Sequence, residues 1–311
     1  MIGPRDHGGA LDAAIARWGG DRDDWLDLST GINPDPYPLP ELPPSAWAAL
    51  PDAAALHRLE QAARRFWRVP DEAAVLAVPG ASAAIAQLPQ LRPAGRVEIP
   101  GPTYNEHGAA FRLAGWTLTD DTPDALVAVH PNNPDGHMWT SDRLGADFTI
   151  IDESFCDTCP EASLIALSAR PGCVVLKSFG KFWGLAGLRL GFAIGDPDLL
   201  AALGERLGPW AVSGPACVIG AEALSDPVWA DETNRRLTDD AARLDALLTT
   251  QGAEVVGGTS LFRLYRVDNG EAAQDHLAQH RILTRVFPYA EDWLRVGLPP
   301  ATGWDRLERA F

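Results

Sequence analysis

Short apolar runs, each closed by a polar turn and followed by a helical pattern, fill the middle of this chain. Residues 75–78, 97–99, 116–118, 126–129, 148–151 and 191–194 read as strands. Between them, apolar residues recur at helical spacing over 53–67 (Leu56, Leu59, Ala63, Phe66), from Ala81 to Leu88, and over about 105–114. Alternation of this kind points to an open α/β sheet, which binds its ligands beyond the C-terminal ends of its strands. Further on, helical patterns start at Leu199 and Pro215, and a long one covers 227–248. Strands near 262–267, 282–286 and 293–296 around a helix at 271–279 read as a smaller α+β unit. The expected division is an N-terminal arm with part of the small domain (1–36), a large domain (37–219) and a C-terminal small domain (220–311).

Residues with reactive or anion-binding chemistry fall where those runs end. Between Val174 and Gly191, Lys181 sits among Phe179, Phe182, Trp183 and Leu185, a setting that desolvates an ammonium and frees its lone pair for attack on a carbonyl. Ser178 and Arg189 flank it, a hydroxyl donor and a guanidinium fork, both suited to phosphate. Gly80, Ala81 and Ser82 open a helix, where unpaired backbone donors and the helix dipole favour an anion, although Ser82 is equally an ordinary cap. Asp152 ends an apolar run and needs a partner there. Asn133, in His130-Pro131-Asn132-Asn133-Pro134-Asp135-Gly136, and Tyr104, after Pro102-Thr103, occupy turns that follow strands.

Taken together, Ser178-x-x-Lys181 with Arg189 eight residues on, Asn133-Pro-x-Gly136 and Asp152 resemble the pyridoxal 5'-phosphate-dependent, aspartate-aminotransferase-type (fold type I) family. The resemblance covers nearly the whole chain. It implies a large domain with a mainly parallel seven-stranded sheet, a small domain built from both termini, and a homodimer. Lys181 would carry the cofactor. Gly80, Ala81, Ser82, Ser178 and Arg189 would hold its phosphate, Tyr104 would stack on its ring, Asn133 would donate to its phenolic oxygen, and Asp152 would pair with the ring nitrogen.

The start of the chain narrows the likeness. His7-Gly8-Gly9 followed by Leu26-Asp27-Leu28-Ser29-Thr30-Gly31-Ile32-Asn33-Pro34 resembles the threonine-phosphate decarboxylases of cobalamin biosynthesis. That branch implies substrate contacts from His7, Gly8, Asn33 and Asn133. Arg295, within Leu294-Arg295-Val296, would take a carboxylate, and Arg285 a phosphate. The alternative is an aminotransferase of the histidinol-phosphate type, which shares every cofactor residue. Two positions depart from the family: Phe155 stands where aminotransferases carry tyrosine, and Leu50 where a tyrosine reaches the neighbouring subunit's phosphate site.

Composition sets the surroundings of that chemistry. A formal net charge of −16 over 311 residues disfavours nucleic acid, so an anionic amino-acid substrate with phosphate and carboxylate ends needs local arginines. No secretory leader and no apolar run near twenty residues is evident, so a cytoplasmic protein without a membrane partner is expected. Cys156-x-x-Cys159 could be a redox pair or half a zinc site, but no histidine cluster in the sequence completes four ligands. No metal is expected.

Overall fold

The computed structural model of the protein describes residues 7–311, which form two compact units. The larger comprises Pro36–Asn133 and His137–Glu232, and the smaller comprises residues 7–35, Pro134–Gly136 and Thr233–Phe311.

The larger unit is built on a seven-stranded sheet, ordered Ala74–Val78, Gly191–Gly195, Cys173–Ser178, Phe148–Asp152, Ala125–Val129, Arg96–Glu98 and Thr117–Leu118. Only Gly191–Gly195 runs against its neighbours, so the sheet is mainly parallel, as the sequence led one to expect. The strands Ala125–Val129 and Phe148–Asp152 are buried at every position, the condition of a sheet covered on both faces. On one face Val127, Ile150, Val174 and Leu176 pack with Ile85, Phe111 and Leu203 from three helices. On the other, Leu126, Ala128, Ile151 and Val175 pack with Leu144, Leu164 and Ile165. Each such aliphatic side chain contributes roughly 1.5–3 kcal/mol by leaving water.

Register then decides where the chemistry lies. Asp152 pairs with Val129 on one side and Leu176 on the other, which aligns the C-terminal ends of three parallel strands. Ser178 ends one of these strands, and the chain leaving them carries Asn133, Glu153 and Lys181. In the proline-rich stretch 34–51, Pro44–Ala48 forms one short helix, begun by proline, whose missing N–H is no loss at that position.

The smaller unit has a four-stranded antiparallel sheet, ordered Arg285–Phe287, Ala290–Gly297, Phe262–Arg266 and Glu254–Thr259, with the helix Gly270–Gln279. Leu26–Asp27 pairs in parallel with Ile282–Leu283, so the extended N-terminal segment becomes a strand. Glu254–Thr259 is not foreseen in the sequence. Gly257 and Gly258 interrupt its apolar pattern, and its register shifts opposite Leu264 and Tyr265. The helix Pro227–Thr250 starts in the larger unit and continues in the smaller, where Asp245 accepts hydrogen bonds from Arg263 and the Tyr265 hydroxyl. Among the described residues no helix is long and apolar enough to cross a membrane.

Candidate active site

A carboxylate at the end of a central strand lies in low dielectric and is costly unless its lone pairs are met. Asp152 is 2 % exposed, and its Oδ1 accepts from the Ser154 amide (3.0 Å) and hydroxyl (2.5 Å). Its Oδ2 lies 2.8 Å from His107 Nε2, itself buried on the helix Asn105–Leu113. Burial alone would raise this carboxyl, yet the His107 bond and charge, with the Ser154 donors, hold it below the ordinary carboxylate range. His107 was not among the residues singled out in the sequence. It stands three residues from Tyr104 at the start of the same helix, their rings edge to face at 6.0 Å.

Asp152, Asn133, Tyr104, Ala81, Ser82, Ser178, Lys181 and Arg189 line one cavity of about 120 Å³, together with Ile85, Val129, Ser154, Phe155, Gly180 and Ala186. Eight of the nine cofactor candidates are therefore brought together within one unit. The ninth, Gly80, caps the helix Ala81–Gln87 at φ +82°, and a Cβ there would stand 2.6 Å from an Arg189 guanidinium nitrogen. Only glycine allows that approach without strain. Arg189 holds a left-handed backbone (φ 53°) and donates to the Ala186 carbonyl at 3.1 Å, so its fork is fixed beside the helix start. The Ser178 hydroxyl accepts from the Gly180 amide at 3.3 Å. Helix-start amides, Ser82, Ser178 and Arg189 form a donor set suited to a phosphate monoester, and Asp152 a buried anion suited to a protonated ring nitrogen. The cavity thus fits a planar phosphate-bearing cofactor.

Lys181 reaches this cavity in different company from what its sequence neighbours suggested. Phe179, Phe182 and Trp183 are fully buried in an aromatic cluster, with Trp183 stacked on both Phe179 (5.0 Å) and Trp229 (5.3 Å). The ring facing Lys181 Nζ is Phe155, at 5.3 Å. Tyr104 is the other ring of the cavity, and it shares a hydrogen bond with Ser82. Burial, then the Asp152 and Glu106 charges, push its phenol up to about 12, so it stays protonated.

A second polar layer lies beneath. Asn132 accepts from Thr103 Oγ1 (2.5 Å) and donates to the Pro102 carbonyl (3.0 Å), fastening the Asn133 turn to the segment that carries Tyr104. Lys177 Nζ lies 2.6 Å from Glu153 and 3.5 Å from Asp157, and Asp157 accepts from the Trp67 and Trp183 indoles. These buried residues carried no signal in the sequence beyond standing next to ones that did.

The substrate candidates other than Asn133 belong to the smaller unit. His7, Gly8 and Arg285 line a cavity of about 820 Å³ there, and Arg285 donates to the His7 carbonyl at 3.0 Å. Asn33 and Arg295 are not part of that lining. Asn33 is buried, its Oδ1 accepting from Arg236 (2.7 Å) and the Asp35 amide (3.1 Å). Arg295 donates to the Ser29 carbonyl at 2.7 Å and lies over the Phe262 ring. Burial, then the Arg285 charge, lowers it to about 10, and it remains a cation at neutral pH. Leu50 is 65 % exposed and shares a surface groove with Trp47 and Trp210.

Residues 117–310 match the family model "Aminotransferase class I and II". The chain is 41 % identical to a threonine-phosphate decarboxylase of Pseudomonas aeruginosa, covering 98 % of this chain and 97 % of the relative. A Sinorhizobium protein of the same name is 40 % identical, with the same coverage. The solved structure of an L-threonine-O-3-phosphate decarboxylase from Porphyromonas gingivalis superposes with a TM-score of 0.75 over 91 % of this chain and 97 % of that one, at 19 % identity, which shows the shared fold.

Proposed function

The chain belongs to the class I and II aminotransferase family, whose cofactor is pyridoxal 5'-phosphate, and we propose that it decarboxylates L-threonine O-3-phosphate to (R)-1-aminopropan-2-yl phosphate in cobalamin biosynthesis. The observation that carries the cofactor chemistry is Asp152, kept anionic in a buried place by His107 and Ser154. Bound in the cavity, the cofactor supplies an electron-withdrawing ring conjugated to the substrate nitrogen. Asp152 holds the proton on the ring nitrogen. Ser82, Ser178, Arg189 and the amides of Ala81 and Ser82, with Gly80 giving room, take the phosphate. Asn133 would donate to the phenolic oxygen, without help from a tyrosine hydroxyl because Phe155 has none. Tyr104 covers the ring face. Lys181 would hold the cofactor, and its amine would be placed to give a proton to the substrate's Cα.

Decarboxylation requires that the bond from Cα to the carboxylate, rather than the Cα–H bond, be the one the substrate contacts hold ready to break. Arg295 and Arg285, both cationic forks, are assigned to the two anionic ends of the substrate, carboxylate and phosphate, with His7, Gly8, Asn33 and Asn133 as the remaining contacts. The histidinol-phosphate type of transamination needs the Cα–H bond in that position instead. Incubating the holoenzyme with threonine phosphate alone separates the two: decarboxylation releases CO2 with no keto acid present. Turnover that strictly requires 2-oxoglutarate would overturn this assignment.

A homodimer in the cytoplasm completes the reading. Its support is the exposed apolar groove at Trp47, Leu50 and Trp210, the kind of surface a second copy covers. Leu50 brings no hydroxyl to a neighbouring phosphate site, so the phosphate relies on the chain's own donors.

A further inference from the structure

The Cys-x-x-Cys pair is the one motif that the proposed reaction leaves unused. Cys156 opens the 3-10 turn Cys156–Thr158, and the Cys159 amide donates to the Cys156 carbonyl at 2.9 Å, closing a four-residue turn. Such a turn brings the end Cα atoms within about 7 Å, the span a disulfide bridges. The thiols share a hydrogen bond, and Cys156 Sγ also lies 3.7 Å from the Cys159 carbonyl oxygen. Their exposures differ in a useful way: Cys156 is buried, whereas Cys159 is partly open.

His130, Glu153 and Cys156 bring one ligand atom each within 4.8 Å of one another, the arrangement of a metal site. Its donors are committed elsewhere. The His130 nitrogens bond the Trp139 amide (3.0 Å) and the Ala162 carbonyl (2.8 Å), and Glu153 holds the Lys177 ammonium at 2.6 Å. A fixed cation where a metal would need anions argues against one. The same cation favours a thiolate. The Cys156 hydrogen bond, chiefly, lowers the Cys159 thiol, with Thr158 and Lys177 acting in the same direction against burial and Glu161. Burial, chiefly, raises Cys173 to about 12 and Cys217 to about 11, although Arg170 and Arg58 act the other way.

We propose that Cys159 and Cys156 form a reversible disulfide, with Cys159 the attacking thiol and Cys156 the resolving one. With hydrogen peroxide as oxidant, the Cys159 thiolate attacks one peroxide oxygen, the O–O bond breaks, and hydroxide leaves, giving a sulfenic acid. The Cys156 sulfur then attacks Cys159 Sγ, the S–S bond forms, and the sulfenic hydroxyl departs as water with the Cys156 proton. Two thiols lose two electrons in all, and one peroxide becomes two waters. Phe155, which precedes Cys156, faces Lys181 Nζ at 5.3 Å, so closing the turn is felt at the cavity wall. This inference stands on the thiols and does not depend on which reaction the cavity performs.

The test is to oxidise the folded holoenzyme with peroxide and map its peptides by mass spectrometry. Expected is a single peptide lighter by two hydrogens that joins Cys156 and Cys159, restored by dithiothreitol, with a reversible shift in the cofactor's absorbance band. Cys156→Ser should leave a dimedone-reactive sulfenic acid at Cys159, and Cys159→Ser should give neither product. Modification of Cys173 or Cys217 before this pair would overturn the proposal. So would a wild-type protein whose Cys159 stays reduced while free glutathione in the same tube is oxidised, a result that needs no variant to fold.

Discussion

The two units hold their candidate residues in contrasting ways. In the larger unit the carboxylate and amide groups line a small cavity and are backed by further polar side chains: Asp152 by His107 and Ser154, the Asn133 turn by Asn132. In the smaller unit the groups assigned to substrate are partly occupied by the protein's own backbone, Arg295 by Ser29 and Arg285 by His7. Under the proposed assignments, the first arrangement suits a ligand that stays and the second a ligand that comes and goes. A resident cofactor gains from rigidity, and a substrate contact must exchange an internal partner for an external one.

The sharpest way to break this contrast is Lys181→Ala. Cofactor attachment should disappear, seen as loss of borohydride-trapped label on the peptide, and loss of proton transfer alone should lower kcat about 10²–10⁴-fold. Label trapped on another lysine would remove Lys181 from the centre. Asp152→Asn comes next: the cofactor should still bind, but losing the charge that holds the ring proton should cost about 2.7–4 kcal/mol, roughly 10²–10³ in kcat. Near-normal turnover would show that the buried anion serves the fold rather than the reaction.

The same carboxylate sets a pH dependence of stability. Its folded value is depressed, so its contribution is fully present above the unfolded value near 4 and is lost as pH falls through the folded value. His107→Gln should raise that folded value and so shrink the contribution, leaving a shallower acid limb in denaturant melts between about pH 2 and 5. An unchanged limb would mean that Ser154 alone holds Asp152 down.

Much of the larger unit was legible because its strands are runs of apolar residues that end at polar turns, and Asp152, Asn133 and Lys181 stand at those ends. The sheet order brings them together. His107 was not legible, since a histidine on a helix identifies no partner until the Asp152 strand is placed beside it. Lys177, Glu153 and Asp157 were hidden for the same reason: a buried ion cluster depends on contacts between strand and turn, and its members stand in sequence like ordinary charges. The aromatic neighbours of Lys181 misled because adjacency along the chain does not mean a shared direction. Phe179 and Trp183 serve the core, and Phe155, from another turn, faces the amine.

Arg285→Ala tests the smaller unit on a finer scale. Losing one charge-assisted contact should cost about 1.5–3 kcal/mol, roughly one to two decades in kcat/KM for threonine phosphate. Threonine lacks the phosphate and should be affected little, so preference between the two collapses. An equal loss for both substrates would mean that Arg285 only holds the His7 segment in place, and the phosphate is bound elsewhere.

Gly8→Ala should have the smallest effect, and it asks whether the arm's position matters at all. A Cβ at residue 8 would collide with the Ser29 carbonyl oxygen, a backbone atom that cannot swing aside. The arm must therefore lift, although the Gly9 amide is bonded to the Ser29 hydroxyl at 2.7 Å and resists the shift. Because His7 is exposed, most of the strain can relax. The remaining cost should be about 1 kcal/mol, roughly five-fold in kcat/KM. It should fall on KM, since no residue of the cofactor cavity is touched and the cofactor's absorbance should not change. A fall in kcat at constant KM would show that the arm orients the scissile bond rather than merely retaining the substrate, and would place part of the choice of reaction in the first residues of the chain.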